Sequence, residues 1–153
     1  MNIDDLKSLM DGFDPASLLP ELDSVVGKVE LVTRIAVMVG PIVLLALGLA
    51  YLFLAPKEAN YRFGYRCYFG MGSVNAWRFT QRLAGLVWGA LGLVLTVVML
   101  LVCGSFRGKE VVDMLGSALT ALIWQAGLTA VSCLVINTLA ALSYDAKGEP
   151  RRK

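Results

Sequence analysis

Three stretches, Ile35 to Ala55, Leu83 to Cys103 and Ser117 to Leu142, contain neither an acid nor a base. Each runs for about 20 residues or more, the length that a hydrocarbon core of about 30 Å demands of a helix. Backbone polar groups have no water to turn to in hydrocarbon, so each stretch is expected to cross a bilayer as an α-helix that satisfies its own hydrogen bonds. Hydrophobic residues make up 57% of the 153-residue chain, too many for an ordinary soluble domain. The expected class is an all-α membrane protein with three transmembrane helices, an N-terminal amphipathic helix and a structured loop between the first two spans. The chain divides into an acidic leader (1–30), a first span (31–56), a basic aromatic loop (57–82), a second and third span (83–144) and a basic tail (145–153).

The leader holds seven acids, Asp4, Asp5, Asp11, Asp14, Glu21, Asp23 and Glu30, against Lys7 and Lys28. A signal peptide would open on a basic region and end in a small-residue cleavage site, so the first apolar run is expected to be retained. Ile3, Leu6, Leu9, Met10 and Phe13 recur at helical spacing and predict a short amphipathic helix. Its acidic face would be repelled by anionic lipid, which favours packing on the protein's own spans or on a partner. Leu22, Val25, Val26, Val29 and Val32 form a second apolar stripe that can run straight into the membrane helix. Within that helix, Gly40-Pro41 removes one backbone hydrogen bond and predicts a kink, tolerated where a neighbour re-satisfies the freed carbonyl. Pro56 closes it.

Lys and Arg are distributed unevenly between the two sides. The loop has five (Lys57, Arg62, Arg66, Arg78, Arg82) and the tail four (Lys147, Arg151, Arg152, Lys153), against Lys7, Lys28, Arg34, Arg107 and Lys109 on the other side. Three crossings put loop and tail on one face, and the excess of cations makes that face cytoplasmic, with the N-terminus outside a multi-pass cell-membrane protein. Gly85-x-x-x-Gly89 with Gly92, and Ala126, Gly127 and Ala130, are expected to let helices approach, with packing favoured over specific dimerisation. Gln125 and Asn137 fall within about 120° of each other on the third helix. Without an ionisable residue beside them they read as interhelical hydrogen bonds rather than a solute path.

Between Lys57 and Gly85 lie seven of the fourteen aromatic residues and one acid, a composition that suits the headgroup level. Gly64, Gly70 and Gly72 predict turns, and Ser73 predicts the cap of a helix beginning at Val74. On that helix Asn75, Arg78, Arg82 and Gly85 form one stripe, with Trp77 and Gln81 on the adjacent face. Snorkelling arginines and an aromatic belt account for much of this, but not for Asn, Gly, Arg and Trp crowded together.

The series Asn60, Gly64-Tyr65-Arg66, Asn75, Trp77, Arg82 and Gly85 resembles the signature of the SdpI family of bacterial membrane proteins, roughly N-x-x-x-G-[YI]-R-[TS] followed by an Asn–Trp element and an Arg and Gly entering a membrane helix. Cys67 stands where that pattern has threonine or serine. The resemblance implies an immunity protein that protects its host from a peptide toxin and recruits a regulatory protein to the membrane. Its motif and partner-binding residues would be Asn60, Gly64, Arg66, Asn75, Trp77, Arg78, Arg82 and Gly85. In that reading Arg66, Arg78 and Arg82 hold an acidic group from lipid, partner or the protein itself, while Asn60, Asn75 and Trp77 fix the loop. Guanidinium suits the task because it stays charged and offers several donors.

Other classes fare worse. The chain has no His, so Cys67 and Ser73 lack the commonest activating base and the protein reads as non-enzymatic. The cysteines Cys67, Cys103 and Cys133 have no metal spacing, no cofactor motif is present, and a net charge of +2 does not argue for direct nucleic-acid binding. A small transporter or channel subunit acting as an oligomer is the alternative. The small-residue faces leave room for a homo-oligomer beside contacts with membrane lipids.

Overall fold

The computed structural model of the protein describes residues 15–59 and 62–151, with residues 15–22 by backbone alone. The amphipathic helix expected over Ile3 to Phe13 lies outside the described residues. Three long helices carry the fold: α1 (Pro15–Phe53), α2 (Val74–Gly104) and α3 (Val111–Ser143). Each contains a stretch long and apolar enough to cross a membrane, and the described residues form no β-strand beyond an isolated bridge in the tail. The chain is a multi-pass membrane protein. The second apolar stripe of the leader is continuous with the first span, as its spacing predicts, because no residue between Pro20 and Leu31 interrupts the helical period.

α1 and α2 pack backbone against backbone. A side chain at Gly48 would strike the Gly89 backbone, one at Gly92 the Leu45 backbone, and one at Gly85 would come within 2.6 Å of Leu52 Cγ. The glycine face of α2 is therefore spent on α1 within the same chain. Lipid competes equally for apolar side chains, so such close approach, with its dispersion contacts, holds membrane helices together.

α3 sits differently. Its expected small face, Ala126, Gly127 and Ala130, is exposed, and a side chain at Gly127 would meet nothing within 4 Å. The residues that α3 buries are instead Met114, Ala118, Ala121, Gln125, Ser132, Ile136 and Ala140. Small residues permit approach but do not choose the side; here the polar groups Gln125 and Ser132, which need partners, do. At the end of the bundle away from the loop, Val37, Met99, Cys103, Phe106, Met114, Ala118 and Ala121 close a core. Between this core and the loop end lies a cavity of about 650 Å³, bordered by Val43, Leu47, Trp88, Leu122, Gln125 and Thr129.

Gly40-Pro41 meets α3 at this cavity. The helix runs unbroken through Pro41, whose ring nitrogen has no hydrogen to give to the carbonyl of Val37, four residues back. Gln125 Nε2 donates to that carbonyl oxygen at 3.0 Å. A Cβ on residue 40 would lie 2.6 Å from Gln125 Oε1, so glycine is what lets the amide reach it. The proline defect, the glycine beside it and the buried glutamine of α3 form one unit.

Candidate functional site

The loop folds over the end of the α1–α2 pair and is tied down from beneath. Trp77 is completely buried, and its Nε1 donates to the Pro56 carbonyl at 2.9 Å, where the chain leaves α1. Gly64 rides on the same ring: its φ is +127°, and a Cβ there would lie 2.6 Å from Trp77 Cη2 and Cζ2. Glycine is needed twice over, for the backbone angle and for the space.

Gln81, one turn beyond Trp77, pairs with a single loop residue in both directions. Its Oε1 accepts from the Tyr65 N–H at 2.8 Å, and its Nε2 donates to the Tyr65 carbonyl at 2.7 Å. A side-chain amide carries one acceptor and one donor group, the complement of a peptide unit. Gln81 is 2% exposed, and both of its polar groups are thereby matched.

The side chain of Tyr65 ties the loop to α3. Its hydroxyl donates to Asn137 Oδ1 at 3.1 Å, with the Cys133 carbonyl at 3.4 Å. Burial, reinforced by the nearby Cys133, pushes this hydroxyl's pKa up to about 12, so it remains a donor at any physiological pH. The ring stands edge-on to Trp88 at 5.3 Å, and Tyr51 and Phe63 continue the aromatic cluster. Trp88 Nε1 in turn donates to Ser132 Oγ on α3 at 3.1 Å. Gln125 thus makes the interhelical bond expected of it, whereas Asn137 accepts from the loop's Tyr65 and not from another helix. Cys67 works as a turn residue: the Gly70 N–H donates to its carbonyl at 3.1 Å and approaches its sulfur at 3.2 Å.

Ser73 caps α2 as expected, its Oγ accepting from the Ala76 N–H at 3.2 Å, and also donates to the Gly148 carbonyl at 2.6 Å. That second bond anchors the tail. Residues 144–151 form a compact turn, with Asp145 Oδ1 accepting from the amides of Lys147 and Glu149 and Tyr144 bridged to Pro150. Loop and tail therefore meet at one end of the bundle, as an odd number of crossings requires.

The residues singled out from the sequence separate into two groups. Gly64, Trp77 and Gly85 face inward and build the packing. Arg66, Asn75, Arg78 and Arg82 are exposed, and the last three run along one stripe of α2. Asn60 lies outside the described residues. Asn75, expected to help fix the loop, makes no hydrogen bond to it among the described residues; Gln81, on the face turned toward the loop, takes that role. Arg78 Nε donates to the Lys57 carbonyl at 3.2 Å. Arg82 has no hydrogen-bond or ion-pair partner among the described residues.

Arg78 and Arg82 form a shared wall between two grooves. One, of about 330 Å³, is bordered by Leu52, Pro56, Lys57 and Gln81. The other, of about 510 Å³, is bordered by Asn75, Phe79, Leu83, Leu86, Tyr144 and Pro150. Among the described residues no group of His, Cys, Asp and Glu is arranged to hold a metal ion.

A sequence model of the SdpI/YfhL protein family matches residues 57–142, more than half of the chain. The chain belongs to this family. The match begins where the loop leaves α1 and ends near the last turn of α3, so it takes in the whole tied-down loop and leaves α1 outside. Comparison with curated proteins and with solved structures returned no match. Membership of the SdpI/YfhL family points to an immunity-type membrane protein.

Spacing alone places Gln81 four residues after Trp77 without revealing that it faces the Tyr65 backbone. The tail turn escaped sequence reading because its basic residues dominate its composition, although Asp145 three residues before Gly148 is a turn signal.

Proposed function

We propose that the protein is a non-enzymatic immunity and signalling protein of the cell membrane, with loop and tail on the cytoplasmic side and the N-terminus outside. Its stripe of Asn75, Arg78 and Arg82, together with Arg66 on the loop, receives an acidic group of a peptide toxin or of a regulatory protein held at the membrane. The observation that carries this reading is the division of the motif. Trp77, Gln81 and Gly64 hold the loop from inside, whereas Arg82 has no hydrogen-bond or ion-pair partner among the described residues and keeps its donors at the surface. The helix fixes where each guanidinium emerges, and its planar fork loses less side-chain entropy per hydrogen bond to an acidic partner than a lysine would.

The test is protection of a strain whose growth depends on the protein, scored together with co-purification of the regulatory partner. Arg66→Ala and Arg82→Ala, at membrane abundance equal to the wild type, are expected to lose protection or partner capture. Unchanged protection and capture in both variants would rule the reading out.

A further inference from the structure

The groove on the tail side of the arginine stripe has a chemical gradient along its length. Along α2 it is lined in order by Asn75, Arg78, Phe79, Arg82, Leu83 and Leu86, so that the cations lie toward one end and Leu83 and Leu86 at the other; Tyr144 and Pro150 of the tail close the other side. Leu86 is 62% exposed and lies about 12 Å along the helix axis from Arg78, at 1.5 Å per residue. That is a cationic end at headgroup depth leading into an apolar end at acyl depth. Among the described residues no carboxylate lines the groove; of the two acids next to its tail wall in sequence, Asp145 accepts from the amides of Lys147 and Glu149, and Glu149 is exposed outside the lining.

The far wall is ordered by contacts of its own. Ser73 Oγ bonds the Gly148 carbonyl, the Arg151 N–H donates to the Ser143 carbonyl at 3.0 Å, and the rings of Phe79 and Tyr144 lie 5.4 Å apart. The groove is therefore walled by a helix and a folded tail.

We propose that this groove holds one anionic glycerophospholipid, its phosphate between Arg78 and Arg82 and an acyl chain along Phe79, Leu83 and Leu86. Charge complementarity and continuity with the bilayer select this occupant: a soluble anion would leave Leu83 and Leu86 without a partner, and a zwitterionic lipid would bring its own cation beside Arg78 and Arg82. The Arg78 guanidinium is already oriented through its Nε bond to the Lys57 carbonyl, which leaves its terminal amino groups for the phosphate. The proposal rests on the preceding reading in treating the stripe as an anion-binding surface, and names the lipid that occupies it. It is tested on purified protein with neither toxin nor partner present, so either can fail while the other stands.

The full chain in detergent micelles is titrated with phosphatidylglycerol or phosphatidylcholine, and retained lipid is counted by native mass spectrometry. One phosphatidylglycerol per chain should be retained in preference to phosphatidylcholine. Arg82→Gln should weaken that retention about fivefold, the effect of one cation near a membrane surface. Arg107→Gln, at an exposed position between α2 and α3, should leave it unchanged. Leu86→Asn should weaken retention of both lipids by removing the acyl contact.

Equal retention of the two lipids by the wild type would overturn the proposal, as would an Arg107→Gln loss matching that of Arg82→Gln. Displacement of the lipid by glycerol 3-phosphate at comparable concentration would assign the site to a soluble phosphate, and displacement by an acidic peptide to a protein partner. Either displacement also overturns it.

Discussion

Replacing Gln125 by leucine removes the amide that satisfies the Val37 carbonyl while keeping a side chain of similar volume. The hydrogen bond is 3.0 Å long and spans α1 and α3. Interhelical hydrogen bonds in membranes contribute about 0.6 kcal/mol on average and up to about 1.7 kcal/mol. A buried acceptor left unmatched costs about 1–3 kcal/mol. Val37 is fully buried in the apolar core, so the upper part of the first range applies and Gln125→Leu should destabilise the bundle by about 1–2 kcal/mol.

The decisive measurement is a double-mutant cycle with Pro41→Ala. Alanine at position 41 restores the N–H that the Val37 carbonyl lacks, closing the helix ladder without help from α3. In that background Gln125→Leu should cost under about 0.5 kcal/mol, a coupling on the order of 1 kcal/mol between residues on different helices. Unfolding in mixed micelles, followed by tryptophan fluorescence, supplies the free energies. If Gln125→Leu costs the same with proline and with alanine at position 41, the glutamine is not serving the proline defect and the reasoning is refuted.

Three further outcomes follow from the loop and its ties. Gly64→Ala should cost about 1–3 kcal/mol, because alanine at a φ of +127° is strained and its Cβ meets the Trp77 ring; stability unchanged to within a few tenths would contradict that geometry. Ser73→Ala should cost about 1 kcal/mol through the lost cap and should also free the tail from Gly148. Limited proteolysis checks the second effect: trypsin should cut after Lys147 faster in the variant than in the wild type. For topology, single cysteines at the exposed positions Glu58 and Lys109, in a background with Cys67, Cys103 and Cys133 replaced by serine, should label from opposite sides with a membrane-impermeant maleimide. Glu58→Cys should be protected in intact cells, and labelling there would invert the assigned orientation.

Several parts of the site are legible in the chain itself. Ser73 as the cap of α2, the stripe of Asn75, Arg78 and Arg82, and the partnering of Gln125 and Asn137 all follow from local rules: spacing along one helix and the cost of an unmatched polar group in hydrocarbon. Other parts are not. Whether Asn75 or Gln81 holds the loop depends on which side of α2 faces Tyr65, and helical periodicity states relative angles but not which neighbour a face will meet. The small residues of α3 mislead for a related reason. Ala126, Gly127 and Ala130 permit close packing, yet the helix turns Gln125 and Ser132 inward, because an unmatched polar group in hydrocarbon is costly whereas an apolar side chain is nearly as well placed against lipid as against protein.

The amino-acid sequence by itself determined that the chain crosses a membrane three times as helices, because the bilayer leaves runs of this length and polarity no other way to satisfy their backbone. It also determined that a basic aromatic loop and the tail share one side, because the number of crossings is odd. The tertiary structure alone decided what the motif residues do. Trp77 and Gly64 serve the fold because the Pro56 carbonyl and the indole ring converge on them, and Gln81 joins them by matching the Tyr65 backbone. Arg78 and Arg82 stay exposed on α2, and the tail, anchored through Gly148, builds a groove against their stripe. Such convergence joins residues far apart in the chain, which no local spacing encodes.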